Sequence, residues 1–257
     1  MIPLKDFNPT RRLAVLTIGL ILLNVGVFLF QLTKPDDLSL QGQQAVLCEY
    51  GLVPDHLVNG PASSAELADE PPGQAVCQEL NQRQNRFLGL LTSQFLHGGW
   101  LHLLGNMLFL WVFGNNIEDR LGRVRFIPFY LACGVLAALG EALSDPDSSI
   151  PLIGASGAIS GILGAYLLLH PRALVLTLIL PFFLVPLPAW LMLGIYFVLQ
   201  FAYLGQEATV GADGTAYWAH IAGFIAGLVL IKAFLIGRPP PPPAEARPAL
   251  PLERWGS

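Results

Sequence analysis

Apolar residues run through this chain in long blocks, and the few polar positions inside them set its plan. A bilayer crossing needs roughly 20 mainly apolar residues. Stretches of that character lie at about residues 13–32, 101–113, 126–143, 153–169, 189–204 and 218–236. The second is short and carries His102 and Asn106. A further apolar run, 173–187, is broken by Pro181 and Pro186, with Pro188 just beyond. Such a run reads as an interfacial connection rather than a span. The pattern predicts an all-α polytopic membrane protein, a bundle of six transmembrane helices.

Charge placement fixes an orientation for that bundle. With the N-terminus inside, Lys5, Arg11, Arg12, Arg120, Arg123, Arg125, Arg172, Lys232, Arg238, Arg247 and Arg254 all fall inside. Only Lys34, Arg83 and Arg86 fall outside, and the short outer loops hold Glu141, Asp145, Asp147, Glu207 and Asp213. A crossing by 173–187 would move Lys232 and Arg238 outside, so six spans with both termini cytoplasmic is the better fit. Basic residues precede the first span, as in a signal sequence. Its apolar run is longer than such a segment, and no small-x-small site follows, so it reads as an uncleaved anchor.

Composition agrees. Of 257 residues, 53% are hydrophobic and 12% charged, where soluble domains carry about 25% charged residues. The net charge of −4 provides no basic surface for nucleic acid. Residues 1–237 form the membrane domain, with one long acid-rich outer loop at about 33–86, and 238–257 is a proline-rich, unfolded tail. Cys48 and Cys77 share the outer loop, where they can pair or remain free thiols. Cys133, within the third span, reads as packing.

The stretch "IGASGAIS" at 153–160 places Ser156 between Gly154 and Gly157, with Ala155 intervening. Gly157, Gly161 and Gly164 have the spacing of a close helix contact, so Ser156 can simply belong to a packing seam. Alternatively it is a nucleophile, which needs a neighbouring base. The ionisable residue well inside the last span is His220, with Gly223 and Gly227 on its helical face. A histidine in a span is costly and points to function, though it can also be a packed side chain bonding a backbone carbonyl. Two glycine faces in contact would bring His220 to Ser156.

In "HGGWLHLLGNM", His102 and Asn106 stand four apart on one face and can donate to a developing oxyanion. The Ser156 backbone amide can join them. Metal binding by His97 and His102 is a weak alternative: five apart, they face differently, and no further ligand accompanies them. All three polar clusters fall near the outer ends of their spans. No carboxylate lies in a span where it could orient His220, and Gln200 and Asn24 look isolated, so a Ser–His dyad is expected.

"GASG", "AHIAG", "HGGWLHLLGNM" and "NNIEDRLG", in that order, resemble the rhomboid intramembrane serine proteases from the first span to the sixth. The resemblance implies a rhomboid-like six-helix bundle with a water-filled cavity open to the outer face. It makes Ser156 the nucleophile and His220 the base, with His102, Asn106 and the Ser156 amide as the oxyanion hole. Gly154, Gly157, Gly223 and Gly227 become a close helix contact, and Glu118 and Arg120 a structural ion pair or cap. It implies a serine endopeptidase that cuts membrane proteins within or near a transmembrane helix, in contact with lipid. It also implies the fifth helix as a lateral gate. Serine, histidine and water suffice, so no metal or other cofactor is expected. A bacterial plasma membrane, with the site facing the extracytoplasmic side, is the expected location. Ser160 stands where many members carry an aromatic residue against the histidine, leaving Tyr217 or Trp218 to hold it. The rival readings are a non-catalytic rhomboid-like binder of membrane clients and, with less support, a small transporter.

Overall fold

Glycines recur at helical spacing in two of the apolar stretches, and the fold is assembled around their contact. The computed structural model describes residues 1–35, 42–179, 181, 183–210 and 216–239. Most of the proline-rich tail, residues 36–41 of the outer loop, and Asp213 lie outside them. Five long helices and a shorter one correspond to the six apolar stretches: α1 (Val15–Leu32), α7 (Trp100–Leu121), α8 (Arg123–Ser144), α9 (Ser156–Leu169), α10 (Ala189–Val210) and α11 (Tyr217–Phe234). Among the described residues, α1, α8 and α11 are each long and apolar enough to cross a membrane. The segment Gly89–Phe95 and α7 qualify together as a pair bent by 93°.

At the centre, α9 and α11 meet glycine to backbone. A Cβ at Gly223 would collide with the carbonyl of Gly157, and one at Gly227 with the carbonyl of Gly161. Gly164 is closed off in the same way by the carbonyl of Phe224. Such contact lets membrane helices approach closely, where packing rather than the hydrophobic effect drives association. Around this seam, Phe113, Phe126, Phe129, Tyr130, Ile162 and Leu163 are fully buried. Leu22 and Leu29 on α1 and Val229 on α11 face outwards instead, as lipid-facing positions do.

The 173–187 run forms a hairpin rather than a helix. Strands β2 (Leu174–Ile179) and β3 (Phe183–Pro188) pair antiparallel, and β1 (Ile2–Asp6) adds to β2, giving the order β1-β2-β3. Asp6, at the end of β1, ties this sheet to the bundle: its Oδ2 accepts from Asn116 Nδ2 at 2.6 Å and from the Tyr166 hydroxyl at 2.8 Å. Burial pushes the Asp6 carboxyl up to about 6, against the lowering effect of those bonds.

Glu118 has a definite task. Its carboxylate accepts from the Leu16 and Thr17 amides at 3.1 and 2.7 Å and from the Thr17 hydroxyl at 2.8 Å. It therefore caps the start of α1, where backbone donors lack helical partners and a negative charge is favoured. Arg120 donates to the Pro239 carbonyl at 2.9 Å. At the opposite end of the bundle, Glu141 of α8 accepts from the Ala219 amide at 2.8 Å and so caps α11.

The outer loop folds into short helices α2 (Gly42–Tyr50), α3 (Pro54–Val58), α4 (Ser64–Asp69), α5 (Pro72–Gln82) and α6 (Gly89–Thr92). Cys48 of α2 and Cys77 of α5 form a disulfide, with Cα atoms 4.8 Å apart. Beside it Asn81 donates to the Cys48 and Gly51 carbonyls at 2.7 and 3.0 Å. This cap reaches the bundle through Leu52 and Leu152, which exchange both backbone hydrogen bonds at 3.0 and 2.7 Å. Closing a chain segment of 29 residues removes unfolded-state entropy equivalent to roughly 3–4 kcal/mol. Cys48→Ser and Cys77→Ser should therefore each lower the thermal midpoint, and reductant should lower that of the wild type but not of either variant. A wild-type midpoint indifferent to reductant would contradict this.

Candidate active site

Ser156 is the first residue of α9, and the backbone leading to it has a shape that depends on glycine. Gly154 has φ +116°, its amide donates to the Ser93 carbonyl at 2.8 Å, and a Cβ there would press on the His102 imidazole. Gly154 thus lies outside the α9–α11 seam, in which the sequence had placed it. Its role is to turn the chain into α9 while leaving room for His102. The first-turn amides of α9, Ser156 among them, have no partner within the helix.

His220 is in the first turn of α11, and the close contact joins Gly157, the residue after Ser156 on α9, to Gly223, about one turn beyond His220 on α11. That contact brings the imidazole Nε2 to 2.8 Å from Ser156 Oγ. His102 and Asn106 stand on one face of α7, and Asn106 Nδ2 donates to the His102 carbonyl at 3.0 Å. All four side chains line one cavity of about 820 Å³, with Trp100 and Tyr196 on its walls. The loop preceding α7 is held by Gln31, whose amide donates to the His97 carbonyl at 3.1 Å and accepts from the His97 amide at 3.2 Å. His97 is not helical. It is fully buried with its ring edge-on to His102, centroids 5.1 Å apart. Among the described residues no group of three or more His, Cys, Asp or Glu side chains is placed to hold a metal.

Two contacts escaped the sequence, and both come from α10. Gln200 Oε1 lies 2.9 Å from His220 Nδ1, and Gln200 Nε2 donates to the Tyr196 carbonyl at 3.0 Å. The Tyr196 hydroxyl is 2.9 Å from Ser160 Oγ. An aromatic side chain from α10 therefore meets α9 where the sequence carries Ser160. The Tyr217 ring meets the His220 ring edge-on, at 6.3 Å between centroids. Gln200 is detectable in sequence only as a polar residue in an apolar span, 20 positions from its partner.

The sequence matches the Rhomboid domain over residues 84–237. Rhomboid protein 1, mitochondrial, of Saccharomyces cerevisiae is 29% identical over 146 residues, 55% of this chain and 40% of that one. Rhomboid-like protein 11, chloroplastic, of Arabidopsis thaliana is 29% identical over 155 residues, 55% of this chain and 50% of that one. Rhomboid protease GluP of Bacillus subtilis is 42% identical over 84 residues, 33% of this chain and 16% of that one. In each case the matched part spans half or less of the relative's length. The chain belongs to the rhomboid family, and with its apolar helices it is a multi-pass membrane protein. Relatives named for the mitochondrion and the chloroplast stand beside the bacterial one, so family membership does not single out a bacterial plasma membrane.

Proposed function

We propose that this protein is an intramembrane serine endopeptidase whose substrates are membrane proteins cut within or near a transmembrane helix. In this reading residues 1–237 are the membrane domain, α1, α7, α8, α9, α10 and α11 are its six spans, and both termini are cytoplasmic. The observation that carries it is the 2.8 Å approach of Ser156 Oγ to His220 Nε2 at the wall of a cavity also lined by His102 and Asn106.

The chemistry follows from those positions. His220 takes the Ser156 proton as Oγ attacks the scissile carbonyl carbon. Negative charge builds on the carbonyl oxygen, where the Ser156 amide, His102 and Asn106 can donate. Each such donor is worth roughly 2.7–4 kcal/mol of transition-state stabilisation. The protonated imidazole then gives its proton to the departing amine, leaving an acyl-enzyme. Water, deprotonated by the same imidazole, releases the acid and restores the serine. A helical substrate must first unwind near the cavity, since its peptide bonds are shielded by the helix's own backbone.

The test uses the full chain in detergent with a fluorophosphonate, and then in proteoliposomes with a single-span substrate. Labelling confined to Ser156, abolished by Ser156→Ala and accompanied by substrate cleavage, is the expected result. Folded protein that neither labels nor cleaves would instead favour capture of membrane clients without hydrolysis.

A further inference from the structure

The structure assigns Gln200 as the residue that positions His220, making the site a neutral Ser–His–Gln relay supported from α10. This rests on the protease reading above and extends it to a third side chain.

The geometry determines which atoms face each other. Gln200 Nε2 donates to the Tyr196 carbonyl at 3.0 Å, and a carbonyl can only accept. The other end of the amide, Oε1, is thereby the atom 2.9 Å from His220 Nδ1. An amide oxygen accepts, so Nδ1 must carry the imidazole proton. Nε2 is left with its lone pair directed at Ser156 Oγ, 2.8 Å away. That is the tautomer a general base requires, and stabilising the wrong one is known to cripple a serine hydrolase of intact geometry. Flipping the Gln200 amide would set its carbonyl against the Tyr196 carbonyl, so the required tautomer is the one the surroundings favour.

The contacts close into a circuit of three helices. Ser156 and Ser160 lie one turn apart on α9, Tyr196 and Gln200 one turn apart on α10, and His220 completes the ring from α11. Gln200 is buried, 6% exposed, so bulk water does not compete for Nδ1 from its side. An amide also suits this depth: it orients the ring without introducing a charge, which is expensive inside a bilayer. The side chain touches neither substrate nor reacting atoms, and it acts only through His220.

The experiment compares Gln200→Met, close in shape but without the amide oxygen, with Gln200→Glu, which restores an oxygen acceptor. Fluorophosphonate labelling rate, kcat and KM are measured in the full chain. Partners that hold the second nitrogen of a working histidine contribute roughly 10- to 100-fold in the cases where they have been removed around metals. Gln200→Met should lose a factor of that size in both labelling rate and kcat with KM little changed, and Gln200→Glu should recover most of it. Wild-type rates in Gln200→Met, or equal loss in both variants, would overturn the assignment. Should neither variant fold, the ¹⁵N spectrum of histidine-labelled wild-type protein decides: a proton on Nδ1 of His220 supports it, and a proton on Nε2 overturns it. Wild-type protein that folds yet never labels would sink the protease reading itself, a result distinct from any of these.

Discussion

Ser156→Ala is expected to lower kcat on a reconstituted transmembrane substrate by a factor of the order of 10⁶, and His220→Ala by about as much, with the double variant no worse than either. The expectation follows from the roles proposed for the two groups. The hydroxyl is a poor nucleophile without a base, and the imidazole has no proton to take without the hydroxyl, so removing either disables one machine. Effects of independent residues would multiply instead. Single-turnover cleavage in proteoliposomes, with the uncatalysed rate as floor, measures all three variants. Residual rates well above that floor in His220→Ala would mean that another group activates Ser156. Of the described residues the cavity's other imidazole, His102, would then be the one to remove next.

The second large effect concerns the bare helix contact. Gly223→Val should prevent stable folding, or lower stability by more than about 3 kcal/mol, at the upper end of what overpacking does. The added Cβ meets the Gly157 carbonyl, a backbone atom that cannot rotate away as a side chain can. Any protein that did fold would hold α9 and α11 further apart right beside Ser156 and one turn from His220, so labelling should fall with stability. Gly19→Ala is the contrasting substitution. Nothing lies within 4 Å of a Cβ at Gly19, and the exchange within a helix should gain roughly 0.5–1 kcal/mol. Thermal midpoints in detergent and labelling of the residual folded fraction read both. Full stability in Gly223→Val would show that the helices part more easily than their backbone contact implies.

What the sequence made legible and what it hid have separate physical causes. Gly157, Gly161, Gly223 and Gly227 repeat at helical spacing, so a contact of two helices could be read directly, and with it the approach of Ser156 to His220. The sheet was hidden because β1 pairs with a segment some 170 positions away, and an apolar hairpin with prolines resembles a failed helix. The outer cap was hidden because its helices are short and of mixed composition. One signal there was available: Ser63 and Glu66 form a reciprocal cap at the start of α4, which a Ser-x-x-Glu spacing announces. Gln200 was set aside because it is alone in its span. Its partner lies on the next helix, and no periodicity along one helix can reveal a hydrogen bond between two.

The paired backbone bonds of Leu52 and Leu152 give the outer cap a significance beyond shielding. Leu152 falls just upstream of the turn at Gly154, so the segment leading into Ser156 is tied to the disulfide-bonded cap. An antibody fragment or cyclic peptide that tilts this cap would strain the start of α9. On the proposed function, the cap is thus a handle for inhibition that does not require entering the cavity.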